Sequence, residues 1–451
     1  MFVTIIIFGL ILGLLIFVHE LGHFLTARRN GVTAHEFGFG FPPRIIGIVE
    51  NPSTKKKKII FGNQEYYGEK TLYSINAIPL GGFVRIKGEN PVDEKDVKNF
   101  DKLTEADKEY IRMATDPDSF SVQSIWARFK ILVAGVMMNF VLAWVLISIV
   151  LMIGAPEPLN DNMGDFSFSP FGIEIFSRHN EDTYDFSHIK EGYVMRTSGG
   201  KSVLFGQINF DTAQKIKKIT TLSLPTVMIE SVQEDSVASA TGIKIGDKIV
   251  SLCENDVCST IENSGEFQKF VSSHADQEII VHILRGKEDI SLSMTPKNQN
   301  GKGMIGVSLA DITIVRYAWY AALWESLMRV ISLTIMILSA FGALIVSIFA
   351  GGGVHAEIAG PVGIAMMTQQ MRDMGLAYLL QFAAILSVNL GIINILPIPA
   401  LDGGRILFLI IEKIKGKPVN QRIEGIMHSA FFIALLVLMA VITIRDVTKF
   451  F

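Results

Sequence analysis

The chain has 451 residues, 49% of them hydrophobic and only 19% charged, with a mean hydropathy of +0.38. That balance excludes an ordinary soluble protein of this length and points to a mainly α-helical polytopic membrane protein. The net charge of −3, with no Lys/Arg-rich stretch interleaved with aromatics, gives no support to a nucleic-acid partner, and two cysteines exclude a disulfide framework and a cysteine-built metal site.

Phe2 to Val18 carry no charge and run straight into His19-Glu20, and the apolar face continues through Leu21, Phe24 and Leu25. The run is long enough to span a bilayer. No basic residue precedes it and no small-residue cleavage site follows, so residues 1–28 read as a first span and not as a secretory signal. Inside it, His19-Glu20-Leu21-Gly22-His23 has the H-E-x-x-H spacing. On a helix, positions i and i+4 share a face, so both imidazoles can reach one ion while the intervening Glu meets its water. The competing reading is a pair of core histidines beside a carboxylate. Membrane depth weighs against it, because ionisable groups there are costly without a partner or a function.

Residues 29–124 read as a cytoplasmic loop. Within it Tyr73–Lys87 has the pattern of two short strands around Pro79 and the Gly81-Gly82 pair, and Glu89–Asp118 is a charged linker with some helix near Leu103–Met113. A second span occupies 125–154. Arg28 and Arg29 close the first span and Arg128 and Lys130 open the second, which puts the amino terminus outside, the loop inside and 155 to about 320 outside. Residues 155–226 show no period. Residues 227–296 alternate strand-like runs with a helical piece, and Ala240–Val250 resembles the signature of bacterial PDZ domains. Cys253 and Cys258 flank Glu-Asn-Asp-Val, a hairpin turn in which either a bridge or two free thiols fits.

Residues 297–377 read as extracytoplasmic or membrane-associated. The apolar segment 330–350 is expected to lie in the outer leaflet, because parity of crossings forbids a single passage. A third span with an irregular element fills 378–411 and a fourth fills 425–446, about four spans in all. The basic residues Arg405, Lys413, Lys415, Lys417 and Arg422 place the connection between them in the cytoplasm.

A catalytic zinc site needs a third protein ligand and an open position. Asn394-Ile-Leu-Pro-Ile-Pro-Ala-Leu-Asp402 ends on the same side and at the same depth as His23, and its two prolines force a non-helical segment there. Asp402 is therefore the leading candidate, with a plain helix cap as its competing role and Glu357 or His355 as alternative ligands.

Taken together, H-E-x-x-H in the first span, N-x-x-P-x-P-x-x-D-G, Ile78-Pro-Leu-Gly-Gly-Phe83, the PDZ-like module and Gly360-Pro-Val-Gly-Ile-Ala365 resemble the site-2 protease family of intramembrane metalloproteases, in its bacterial branch of sigma-E regulators. The resemblance implies Zn2+ on His19, His23 and Asp402, with Glu20 as the base acting on the metal's water. It implies that Asn389 and Asn394 position substrate or site, and that a re-entrant hairpin around Gly81, Gly82 and Phe83 pairs with an unwound substrate segment. It also implies regulated cleavage of single-span membrane proteins with shortened ectodomains, such as anti-sigma factors, in the bacterial inner membrane, with the active site toward the cytoplasm. Two features depart from the family: Gly135-Val136-Met-Met-Asn139 lacks the usual proline, leaving Asn139 as a donor behind the ligands, and one PDZ module is recognisable where relatives often carry two. A PDZ-bearing scaffold or a transporter is the non-enzymatic alternative.

Overall fold

The structure is a computed structural model and describes residues 2–51, 54–62, 66, 68, 70–89, 105–158, 184–185, 193–198, 201–207, 219–222, 226–233, 235–254, 257–261, 263–286, 288–349, 359–417, 419 and 421–450. His355 and Glu357 lie outside the described residues. Among the described residues five helices are long and apolar enough to cross a membrane: Val3–Arg29, Ile125–Ile153, Trp319–Leu344, Leu376–Ile395 and Ile423–Thr448. The third of these is one more than the sequence expected. The stretch assigned to the outer leaflet belongs to a continuous helix, Trp319–Phe349, whose length and apolarity equal those of a span.

The chain divides into two compact units, Met1–Trp144 with Arg329–Met366 and Ala383–Phe451, and Val145–Met328 with Met367–Phe382. The first opens with α1 (Phe2–Arg29), a mostly apolar helix that ends where Asn30 folds its side chain onto the Thr26 carbonyl and Gly31 takes φ +75°. A sheet follows, made of β1 (Ala34–Glu50), β2 (Lys57–Phe61) and β3 (Leu72–Ile86) in the order β2-β1-β3. The segment expected as a self-paired hairpin is β3. Its two arms do not pair with each other: Gly82–Arg85 and Leu72–Ile75 both partner Glu36–Phe39 of β1. Pro79, which has no N–H to give, and Gly81 at φ +117° lie where the strand turns from one side of β1 to the other.

Beneath this sheet sits a buried polar cluster. Glu36, 1% exposed, accepts from Arg44 Nε at 2.9 Å, from Arg44 Nη2 at 2.6 Å and from Ser74 Oγ at 2.6 Å, so its charge is fully partnered. The unit continues with α2 (Glu105–Thr115) and α3 (Ile125–Ile153), whose first turn is capped by Ser124 Oγ on Ala127 N.

The second unit is β-rich. Its largest sheet runs β13-β12-β10-β9-β16-β8-β5, with β11 on β10 and β4 on β16. These strands are β4 (Ala155–Pro158), β5 (Tyr184–Asp185), β8 (Ile219–Leu222), β9 (Thr226–Val232), β10 (Lys248–Glu254), β11 (Val257–Thr260), β12 (Ile279–Arg285), β13 (Glu288–Met294) and β16 (Val307–Tyr317). The short pairs β6 (Tyr193–Ser198) with β7 (Lys201–Gln207) and β14 (Lys297–Gln299) with β15 (Lys302–Met304) stand apart. Strand alternation points Ile279, Val281 and Ile283 inward beside Ile229, and the irregularity between Ile249 and Ser251 lets Ile249 and Leu252 both join them, where α4 (Val237–Thr241) and α5 (Ser264–Ser273) close the core through Ala238, Phe267 and Val271. Cys253 and Cys258 are opposite partners on β10 and β11 and are joined by a disulfide.

The remaining helices are α6 (Trp319–Phe349), α7 (Pro361–Met374), α8 (Leu376–Ile395), α9 (Asp402–Lys415) and α10 (Gln421–Phe450). The stretch read as one span plus an irregular element resolves into α8, a turn over the two prolines, and α9.

Candidate metal centre

In the first unit, α1 and α3 cross at glycines. A Cβ on Gly22 would lie 2.3 Å from the Ala134 carbonyl oxygen, and one on Gly135 would lie 2.2 Å from His23 Nε2. Gly22 is needed because the helix backbones touch there, and Gly135 because the His23 ring lies against it. The crossing buries His19 and His23, which are 7% and 6% exposed. Close packing also sets the glycines of β3. A Cβ on Gly81 would strike Ile16 at 2.9 Å, and one on Gly82 would meet the Gly38 carbonyl oxygen at 2.9 Å and Phe17 at 3.4 Å. Phe83 lies over Gly38, where an added Cβ would meet its Cε1 at 2.6 Å.

Asp402 arrives from the far end of the chain. The turn before it folds back so closely that a Cβ on Gly403 would sit 2.0 Å from the Leu396 carbonyl oxygen, and one on Gly404 2.5 Å from that of Ile398. Ala400 adopts φ +83°, unusual for a residue with a side chain, and donates its N–H to His428 Nδ1 on α10 at 2.8 Å. Asp402 then opens α9 as its first residue, with Leu401 as an N-cap that makes no side-chain cap.

His19 Nε2 and His23 Nε2 lie 3.0 and 3.2 Å from Asp402 Oδ2 and 3.2 Å from each other. Glu20 points the other way, its Oε2 accepting the Val84 N–H of β3 at 3.2 Å.

The three converging atoms fit a divalent metal with nitrogen and oxygen ligands. The ring atoms facing away supply the test. His23 Nδ1 lies 2.8 Å from the Ile131 carbonyl, which can only accept, so Nδ1 carries the proton and Nε2 presents a lone pair to the cluster. His19 Nδ1 lies 3.2 Å from the Asn139 amide, whose Oδ1 is buried and without a partner as drawn. With that amide turned over, Oδ1 accepts from Nδ1–H, the orphaned oxygen is satisfied and the second Nε2 lone pair also faces inward. Ser387 Oγ donates to the Asn139 carbonyl at 2.8 Å and ties α8 to the same spot.

The structure thus brings together His19, His23, Asp402 and Asn139, with Glu20 beside them. Asn389 and Asn394 are half-buried on α8, and neither side chain has a hydrogen bond among the described residues. Sequence reading passed over His428, which makes no motif; its only local signal is a histidine inside an otherwise apolar span. Another group of candidate ligands, Cys253, Cys258 and His282, is partly exposed and its two sulfurs are spent in the disulfide.

Residues 7–438 match the model of peptidase family M50. The chain is 28% identical to the zinc metalloprotease RasP of Geobacillus kaustophilus, covering 99% of this chain and 98% of that one. It is 29% identical to the regulator of sigma-W protease RasP of Bacillus subtilis, covering 99% of each. Against the regulator of sigma-E protease RseP of Salmonella typhimurium it is 28% identical over 98% of each.

Proposed function

The chain belongs to peptidase family M50, the zinc proteases that cut within membranes, and from that premise we propose that His19, His23 and Asp402 hold its zinc and Glu20 is the general base. The observation that carries this reading is the convergence of His19 Nε2, His23 Nε2 and one Asp402 oxygen within 3.2 Å, with each imidazole's other nitrogen occupied from behind. Zinc, when bound, supplies the Lewis acidity that makes water nucleophilic near neutral pH and polarises a carbonyl. The chain's own residues do the rest. Ile131 and Asn139 fix the tautomers, and Glu20 takes the proton from the attacking water and returns it to the leaving amine.

A scissile carbonyl in a helix is already hydrogen-bonded, so the substrate must unwind. The Val84 N–H that Glu20 holds is not used for pairing with β1, and a substrate segment laid along that edge as a strand would take it over. Asn389 and Asn394, whose side chains have no hydrogen bond among the described residues, would hold the unwound backbone. Gly81 and Gly82 serve this arrangement by letting β3 close on α1.

For orientation we keep α1 running inward. His23 meets Ile131 and His19 meets Asn139, so α3 runs against α1; Asp402, beyond the end of α8, returns to the same histidines, so α8 runs with α1. The chain leaving α3 and the chain entering α8 are then on one side, so the whole of residues 154–375 between them makes no net crossing. Asp446, near the end of α10, accepts the Gly363 N–H at 2.7 Å and keeps the start of α7 on that outer side. The β-rich unit, read as a PDZ module with added strands, is extracytoplasmic. A membrane-impermeant thiol reagent applied to right-side-out vesicles should label Asp289→Cys and spare Lys413→Cys; the reverse pattern would overturn this orientation.

Relatives named for control of sigma-W and sigma-E suggest single-span membrane regulators of a sigma factor as substrates. A bulky ectodomain should collide with the β-rich unit, so substrates with shortened ectodomains should be favoured. Two experiments separate these readings. Glu20→Gln should keep about one zinc and lose cleavage, whereas Asp402→Ala should lose both; a Glu20→Gln enzyme that still cleaves moves the base elsewhere. Model substrates sharing one transmembrane segment but differing in ectodomain size should be cut more slowly as size grows, and equal rates would remove the filter.

A further inference from the structure

The face of the β1–β3 sheet that packs on α1 is wider than α1 itself. Phe17 lies 5.2 Å from Phe37 and 5.8 Å from Phe39, ring centre to ring centre, and Phe24 lies 4.7 Å from Phe37 and 6.0 Å from Tyr73. One turn further on, Arg28 Nη1 donates to the Tyr73 hydroxyl at 3.3 Å. The sheet therefore climbs beside α1 toward the helix's charged end. Register carries that direction sideways across the strands. Phe39, Ile75, Ile46 and Phe61 are successive partners in one row, and Phe37, Tyr73, Ile48 and Ile59 in the next. Partners in register point to the same face. Helix α1 covers the Phe37 edge of this face, while Ile75, Ile48, Ile59 and Phe61 stand exposed, Phe61 at 70%.

One step further along the strands Glu50 faces Lys57, the β1–β2 turn carries Lys55 and Lys56, and Lys57 and Lys58 open β2. All four are exposed, and none makes an ion pair among the described residues. Beside α1 the order is thus an aliphatic and aromatic row at the level of Phe17, a tyrosine row at the level of Arg28, and a lysine tip beyond it. That is the order of hydrocarbon, interface and phosphate at the edge of a bilayer.

On the family's expectation that this sheet is membrane re-entrant, we propose that the lysines at its tip, Lys55–Lys58, bind the phosphates of anionic phospholipid in the cytoplasmic leaflet. The occupant follows from position and charge. Helix α1, against which the face packs, is a span that exposes Leu14 and Leu25, so lipid surrounds the helix and the face needs no second protein to cover it. The apolar rows alone would suit any lipid. Four lysines offset by Glu50 alone select anionic headgroups: each basic residue held near an anionic leaflet contributes about fivefold, and a net three give about a hundredfold preference.

The test uses the full chain carrying Ile59→Cys, labelled with a polarity-sensitive dye; Cys253 and Cys258, being bridged, do not react. The labelled protein is placed in nanodiscs of phosphatidylcholine, with or without phosphatidylglycerol, some bearing brominated acyl chains. In anionic discs the emission should shift to the blue and be quenched by the brominated chains. About 1 M salt, where the Debye length is ~3 Å, should return it to the neutral-disc value. Replacing Lys55–Lys58 together by Gln should abolish the difference between discs, with unchanged zinc content reporting an intact fold. A label that stays in water in both discs overturns the contact. Equal quenching in both, insensitive to salt, overturns the recognition of anionic headgroups, and the salt titration decides this on the unsubstituted tip even if the fourfold variant misfolds.

Discussion

Gly135→Ala should empty the metal site without touching a ligand. The added Cβ would lie 2.2 Å from His23 Nε2, 2.6 Å from its Cε1 and 2.8 Å from its Cδ2, where ordinary contact begins at 3.4 Å. The ring must therefore retreat by about 1.2 Å, or the helices must part by a similar amount. Neither motion is free. His23 Nδ1 is tied at 2.8 Å to the Ile131 carbonyl on the helix that carries the new methyl, and parting would undo the contact at Gly22. A ligand–metal distance tolerates about 0.2 Å, and displacement of about 1 Å in an active site costs on the order of a hundredfold. Zinc affinity and kcat/KM should each fall about a hundredfold or more, with helix content unchanged. Metal analysis after dialysis against graded chelator, beside a peptide-cleavage assay, reads both. Gly342→Ala, whose Cβ meets nothing within 4 Å, is the matched control and should be neutral. A Gly135→Ala enzyme with full zinc and full activity would show that α1 and α3 do not meet as described.

His428→Leu removes the acceptor for the Ala400 N–H and should cost about tenfold in activity, the worth of about 1 kcal/mol, while His428→Asn keeps an acceptor and should recover part of it; equal losses would show that the bond does not position Asp402. Arg285→Ala strips the main partner from Asp247, which is 1% exposed, and should destabilise the β-rich unit by about 3 kcal/mol in thermal unfolding while leaving zinc content intact. In the same unit the hydrogen bond from the His274 ring to the Phe270 carbonyl, aided by Glu254, raises the imidazole above its ordinary value against the opposing effect of burial. The charged form is the one favoured in the fold, so its contribution is fully present below the ordinary histidine range and is lost as pH rises through the raised value. The Tm gap between the natural chain and His274→Gln should therefore shrink from pH 5.5 to 8, and a constant gap would refute the tie. Alkylation without reductant should leave the mass of the chain unchanged at Cys253 and Cys258, and two added groups would mean free thiols.

The metal cluster was legible because its parts obey local rules. His19 and His23 sit at a helical spacing, and Asp402 follows two prolines that no span would tolerate in its interior. What lay beyond reading depends on contacts far apart in sequence. In β1 the alternation of Phe37-Gly-Phe-Gly-Phe41 is broken by Pro42 and Pro43, and nothing local announced that the strand would sit between the two arms of β3. Residues 73–87 displayed strand character but not their partner. His428 acts on Ala400 across a separation of 28 residues, and its only trace was a polar residue in an apolar helix. For 330–350, counting crossings could bound the number of passages but not where a helix begins, and Trp319 starts it well before the apolar window.

The contact between Glu20 and the Val84 N–H has a consequence for what the enzyme can read. At rest the carboxylate plays the part of an incoming carbonyl, so a peptide gains that donor only by competing with the enzyme's own side chain. A helical segment has no spare carbonyl with which to compete and leaves the base tethered. With Glu20 as the proposed base, an extended one would evict it and release the carboxylate beside the scissile bond at the moment such a bond is present. Selection at this point concerns backbone shape and is indifferent to side chains, so one enzyme can accept many sequences and still ignore the folded helices that surround it in the bilayer.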